Sequence, residues 1–128
     1  MRVKRIMKKK KALIVDDNEA NLILARDILR LVGFDTLEAK DAESGIETAA
    51  REMPDFILMD IRLPGMSGLE ATAILKSRPE TAAIPVVAIS ASVFGEDRQK
   101  AVSARCEGFL EKPFKFEEFK AIASKFLD

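Results

Sequence analysis

Four short apolar runs in this 128-residue chain lead into side chains able to do chemistry. Ala12-Leu13-Ile14-Val15 ends in Asp16-Asp17, Phe56-Ile57-Leu58-Met59 in Asp60, Pro85-Val86-Val87-Ala88-Ile89 in Ser90, and Gly108-Phe109-Leu110 is followed after one residue by Lys112. Brought together, these residues make a cluster of carboxylates with one hydroxyl and one cation. Two like charges about 4 Å apart cost about 4 kcal/mol at an effective dielectric of 20, so the cluster calls for a bound cation or a raised pKa. All-oxygen donors favour a hard ion, Mg²⁺ or Mn²⁺, over zinc. A carboxylate can attack a phosphoryl group to give an aspartyl phosphate. Mg²⁺ and a lysine would neutralise the transferring group while the serine donates to one of its oxygens. Taken singly, Asp60 could merely terminate a strand, Lys112 could be a surface cation and Phe109 a core residue.

The rest of the composition narrows the chemistry. There is no histidine, which excludes imidazole general bases, His-ligated zinc and an internal phosphohistidine. Cys106 is the single cysteine, so the chain forms no internal disulfide, and the expected state of the thiol is buried and inert. A hydrophobic share of 48% and a charged share of 33% suit one globular, soluble domain, expected in the cytoplasm. No apolar run approaches the ~20 residues of a spanning helix, and there is no secretory h-region. The net charge of zero conceals an asymmetry: seven basic residues and no acid lie in Met1–Lys11, leaving 14 basic against 21 acidic side chains, or −7, in the remainder. The body is therefore not expected to bind nucleic acid. Residues 1–10 read as a basic, flexible extension and 11–128 as the domain.

The elements that must position these residues follow from periodicity. Unbroken apolar runs of this length read as strands buried on both faces. Phe34–Ala39 is less apolar and reads as a strand nearer an edge. Leu22, Ala25, Ile28, Leu29 and Val32 recur at helical spacing between an Asp17 or Asn18 cap and Gly33. A second helix starts at Asp41 with the stripe Ala42, Ile46, Ala49 and Met53, and Pro54 stops it. Ser67-Gly68-Leu69-Glu70 has the capping-box form and opens a third helix running to about Ser77. A fourth helix, Gly95 to about Arg105, has the thin stripe Ala101 and Val102. The last, poorly capped at Lys115, has Phe116, Phe119, Ile122, Ala123 and Phe126 on one face. Five strands alternating with five helices predict an α/β fold with a parallel sheet, helices on both faces and right-handed crossovers. In such a sheet the carboxyl ends of the strands gather Asp16, Asp17, Asp60, Ser90 and Lys112 into one crevice.

With these residues in this order, the sequence resembles the receiver domains of two-component response regulators over about residues 11 to 128. The resemblance rests on Asp16-Asp17-Asn18, on Asp60 within Leu58-Met59-Asp60-Ile61-Arg62-Leu63-Pro64-Gly65-Met66-Ser67-Gly68, on Ser90-Ala91, and on Phe109 three residues before Lys112-Pro113-Phe114. It implies a flavodoxin-like, three-layer (βα)5 fold with strand order 2-1-3-4-5. Asp60 would be the phosphoacceptor, taking its phosphoryl group from a phosphohistidine of a histidine kinase or histidine phosphotransfer protein. Asp17, Asp60 and the backbone carbonyl of Arg62 would bind Mg²⁺ directly, with Asp16 acting through a metal-bound water. Lys112 would pair with the phosphoryl oxygens, and the Lys112-Pro113 bond would be cis. Ser90 would move toward the phosphoryl group and Phe109 turn inward behind it, altering a protein-binding face made of the fourth helix, fifth strand and fifth helix. The chain would catalyse its own phosphorylation and dephosphorylation without being a turnover enzyme.

Several positions depart from the family pattern. Phe109 stands where many members have Tyr and cannot hydrogen-bond. Arg105-Cys106 stand where Gly-Ala is frequent, and Arg62 and Ser92 occupy positions that tune phosphate hydrolysis in the family. Asp17-Asn18-Glu19-Ala20-Asn21 matches a stretch of the stand-alone DivK-type regulators, which implies a single-domain regulator or phosphorelay member. A flavodoxin-type phosphate binder would instead need a Ser/Thr/Gly-rich first loop. A dehalogenase-like phosphatase would usually have an acid where Arg62 stands. The alternative kept beside the phospho-switch is a receiver-like interaction module that acts independently of phosphorylation.

Overall fold

Within each unbroken apolar run, successive side chains go to opposite faces, which is why the run shows no polar alternation. The structure, a computed structural model, describes residues 9–91 and 96–127. In β1 (Lys11–Val15), Ala12 and Ile14 enter one core layer and Leu13 and Val15 the other; in β3 (Phe56–Asp60), Phe56 and Leu58 are separated from Ile57 and Met59 in the same way. β4 (Val86–Ser90) sends Val87 and Ile89 to the first layer. With β2 (Asp35–Ala39) and β5 (Gly108–Glu111) these strands form one parallel sheet in the order β2-β1-β3-β4-β5. The expected α/β architecture and strand order are both observed.

On one face lie α1 (Glu19–Val32) and α5 (Phe116–Ser124). Aromatic rings bind this layer: Phe56 meets Phe34 edge-on at 5.1 Å and stacks on Phe126 at 4.7 Å. The opposite face is covered by α2 (Ala42–Glu52) and α3 (Gly68–Ser77). Beside them α4 (Glu96–Ser103) rests Ala101 on Ile61 and Ala88, with Leu69, Cys106 and Phe109 at the margin. Local signals behave as their chemistry requires. Asn18 caps α1 by accepting from Asn21 N–H, Gly33 closes it at φ 124°, and Asp41 caps α2 through Ser44 N–H. Ser67 and Glu70 complete the capping box, a device worth about 1 kcal/mol. Lys115 makes no side-chain cap, and the Lys112-Pro113 bond is cis.

Three stripe residues fall outside the core. Met53 is half-exposed because it sits in the left-handed conformation that ends α2, turned off the stripe. Val102 is exposed because α4 is short and seats only Ala101 on the sheet, leaving the next residue about 100° away around the helix. Phe116 is the first residue of α5, and it too is exposed. The expected helix start at Gly95 lies outside the described residues; the described helix begins at Glu96 and ends at Ser103.

Arg105, at φ 67°, supplies the left-handed turn after α4 where glycine would be unstrained, and its guanidinium reaches the Lys76 carbonyl at 3.3 Å. Cys106 follows; it is half-buried rather than fully buried as expected, and that burial still pushes its thiol pKa up to about 11, in line with an inert cysteine. At the amino ends of β4 and β5, buried Lys76 donates to Glu107 at 2.7 Å and to the Ile84 carbonyl at 2.9 Å. The other Glu107 oxygen accepts from Val86 N–H at 2.7 Å. These contacts satisfy a cation that would otherwise be costly to bury.

Candidate functional site

Strand register decides which side chains meet. Val15 pairs with Met59, so Asp16 and Asp60, each one residue farther along, emerge side by side. Ser90 pairs with Glu111, and the next residue, Lys112, donates its N–H to the Ser90 carbonyl at 2.8 Å. The result is the predicted gathering of Asp16, Asp17, Asp60, Ser90 and Lys112 at one sheet edge. A cleft of about 270 Å³ lined by Asp17, Asn18, Asn21, Asp60, Arg62, Ala91 and Lys112 opens there.

Asp60 is only 4% exposed and is held from two sides. Lys112 Nζ lies 2.8 Å from its Oδ2, and Arg62 N–H donates to Oδ1 at 2.9 Å. Asp16, 1% exposed, accepts from Asn18 N–H at 2.9 Å through Oδ1 and lies 3.3 Å from Lys112 through Oδ2. Burial pushes the Asp60 pKa above the ordinary carboxylate value, and the Asp16 charge adds to it; Lys112 and Arg62 N–H oppose this without overcoming it. Burial alone would lower the Lys112 pKa, but its pairing with Asp60 and Asp16 prevails, so it is raised and the ammonium persists at neutral pH.

The donors fit a hard divalent cation. One oxygen from each of Asp16, Asp17 and Asp60 lies within 4.8 Å of the others. Like charges at that distance repel by about 3.5 kcal/mol at an effective dielectric of 20. Three carboxylates against one lysine leave two negative charges uncompensated, and the buried Oδ2 of Asp16 has no aligned hydrogen-bond donor. Such a set of oxygen ligands matches the preference of Mg²⁺.

Arg62 does not neutralise this cluster with its side chain. Its guanidinium instead reaches Asp97, in the first turn of α4, at 3.2 Å. Ser90, 1% exposed, donates its hydroxyl to the same Asp97 carboxylate at 2.9 Å. Phe109 is half-buried at the edge of the α4 cluster, with the Arg98 guanidinium 5.3 Å above its ring. Ser92 lies outside the described residues.

Two contributors were not evident from the sequence alone. Gly68 is one: a Cβ there would collide with the Asp60 carbonyl oxygen, so α3 can start this close to the site only without a side chain. Asp97 is the other. Its signal was the four-residue spacing to Ala101, which sets both on the inner side of α4.

Comparisons with known proteins bear on the family and the fold. The family model for the response regulator receiver domain matches residues 12–124. The polar-differentiation response regulator DivK of Brucella anthropi is 37% identical over 110 residues, covering 86% of this chain and 89% of that protein; DivK of Brucella ovis gives the same figures. The receiver domain of the sensor histidine kinase PA1611 from Pseudomonas aeruginosa PAO1, a crystal structure with a magnesium ion coordinated in the active site cleft, is 29% identical. It superposes with a TM-score of 0.86, covering 94% of this chain and 98% of that one. Vibrio cholerae CheY4, at 22% identity, shares the fold with a TM-score of 0.87 over 94% and 100% of the two chains. No helix among the described residues is long and apolar enough to cross a membrane. A family match running from β1 to the end of α5, on a sheet whose carboxyl ends converge as they do here, leads to one conclusion: the chain belongs to the response regulator receiver domains of two-component systems.

Proposed function

We propose that the protein is a single-domain response regulator that accepts a phosphoryl group on Asp60 and thereby changes what it binds. The observation carrying this reading is the buried Asp60 carboxylate, gripped by Lys112 at 2.8 Å and crowded by Asp16 and Asp17 at the open end of the sheet. In the reaction, an Asp60 oxygen forms a bond to phosphorus as the P–N bond of a partner phosphohistidine breaks; the bonding pair leaves with the imidazole nitrogen, which is then protonated. Lys112 would shift from the carboxylate to the arriving phosphoryl oxygens. Ser90 would donate to another of those oxygens, and Phe109 would turn inward behind it.

Asp17, Asp60 and the Arg62 carbonyl would hold Mg²⁺ directly, with Asp16 acting through a water. When bound, the ion neutralises negative charge on the carboxylates and the transferring group. Magnesium is proposed over manganese because the Pseudomonas aeruginosa receiver carries magnesium in its cleft.

The proposed donor is a histidine kinase or histidine phosphotransfer protein in the cytoplasm. The downstream partner would dock on α4, β5 and α5, where exposed Val102 and Phe116 supply apolar contacts. Nucleic acid is not a proposed partner, given the −7 charge outside the basic amino-terminal segment.

Incubation with Mg²⁺ and acetyl phosphate, followed by intact mass, tests the reading. One phosphoryl group, labile to hydroxylamine, is expected on the wild type and none on Asp60→Asn or in EDTA. A wild-type protein left unmodified at millimolar donor would make it a binding module that works without phosphorylation.

A further inference from the structure

We propose that Asp97 is a positioning residue whose carboxylate holds the Ser90 hydroxyl in the unmodified protein and so sets how readily Ser90 turns to a phosphoryl group on Asp60. This rests on the phosphorylation of Asp60 proposed above. Ser90 and Asp97 are both buried, at 1% and 7% exposure, and are joined at 2.9 Å. A serine hydroxyl carries one hydrogen, so donation to Asp97 and donation to a phosphoryl oxygen exclude each other. The present acceptor is a carboxylate, which makes it a strong competitor.

Losing a donor would ordinarily strand a buried carboxylate. Here Arg62 prevents that. Its Nη2 lies 3.2 and 3.5 Å from the two Asp97 oxygens, and its side chain is 72% exposed and free to adjust as Ser90 departs. Arg62 also stands two residues beyond Asp60, so it bridges the phosphoacceptor strand to α4 whether or not Ser90 remains. Among the described residues α4 buries only Asp97 and Ala101, so the Ser90 bond is one of the contacts that fix the helix to the sheet. Release of Ser90 toward Asp60 therefore loosens α4, coupling the modified site to the face proposed for docking. An acid in a first helical turn also favours the helix dipole, but that effect would not depend on Ser90.

The test compares the wild-type chain with Asp97→Ala, Asp97→Asn, Ser90→Ala and the Asp97→Ala/Ser90→Ala double variant. Each is titrated with beryllofluoride, a phosphoryl mimic, in the presence of Mg²⁺. Asp97→Ala is expected to lower the half-saturating concentration about tenfold, the weight of a hydrogen bond to a charged acceptor. Asp97→Asn, which keeps a weaker acceptor of the same size, is expected to fall between. In the Ser90→Ala background the Asp97→Ala change should have no effect, since the two residues act through one bond. A second measurement needs neither donor nor metal: α4 amides should exchange hydrogen faster in both Asp97→Ala and Ser90→Ala than in the wild type.

An Asp97→Ala protein that binds the mimic no more tightly than a responsive wild type overturns the proposal. So does a gain of equal size with and without Ser90, or unchanged exchange in α4. A wild type that neither binds the mimic nor accepts phosphoryl from acetyl phosphate overturns the proposed function itself, and this inference with it.

Discussion

α1 and α4 flank the same crevice but are held by different forces. Leu22, Ala25, Ile28 and Leu29 of α1 are buried in a layer that includes the Phe34, Phe56 and Phe126 rings. α4 buries Ala101 and a carboxylate, and its hold on the sheet passes through Ser90 and Arg62. Apolar burial is non-directional and has no alternative partner to offer, whereas a hydrogen bond can be exchanged for another. The acidic residues thus stand beside the part of the molecule that is difficult to move. The serine faces the part whose attachments can be traded.

The sharpest way to break this contrast is by truncation on each side. Leu22→Ala on α1 is expected to cost about 2–5 kcal/mol in urea unfolding, while Val102→Ala on α4 should stay within about 0.5 kcal/mol. A comparable loss at Val102 would mean that α4 is packed as firmly as α1. Next, Gly68→Ala should cost about 1–3 kcal/mol, because the added methyl must displace backbone rather than a flexible side chain. It should also slow modification of Asp60 by acetyl phosphate; normal stability and rate together would show that the α3 start can yield.

A smaller effect locates electrostatic strain on the rigid side. Because burial raises the Asp60 pKa above its unfolded value, the folded state favours protonated Asp60 and is penalised once pH exceeds the folded pKa. In the absence of divalent metal, Asp60→Asn should therefore raise the melting temperature at neutral pH. The advantage should shrink as the pH falls through the folded pKa toward 3.8, and a constant difference across that window would count against this origin. Smallest of all, Arg105→Gly should stabilise by about 0.5 kcal/mol, the relief of a left-handed residue less the lost contact to Lys76. Chemical denaturation would register a loss instead if that contact dominates.

Legibility in the sequence followed the same division. β1, β3 and β4 announced themselves because residues buried on both faces must all be apolar, and the carboxylates at their ends followed from parallel topology. A cap at Asp17 or Asn18, a helix start at Asp41 and the Ser67 capping box were readable because each rests on a local hydrogen bond between near neighbours. Asp97 was not, since its meaning depends on Ser90 and Arg62, far away in sequence and adjacent only after the sheet forms. Gly68 read as part of a capping box, whereas its approach to the Asp60 carbonyl is a matter of tertiary distance. Helical periodicity placed Met53, Val102 and Phe116 on inner stripes, but they lie where a helix ends, is thinly seated or begins, and periodicity does not report that.

The Lys76–Glu107 pair gives this division a mechanical form. Through one carboxylate it ties Val86, at the start of β4, to the residue that precedes β5, and Glu107 N–H returns a bond of 2.8 Å to the Val86 carbonyl. Ser90 and Lys112 lie at the far ends of those two strands. The clasp thus fixes the register of the two strands at one end, and that register sets Ser90 and Lys112 against each other at the crevice.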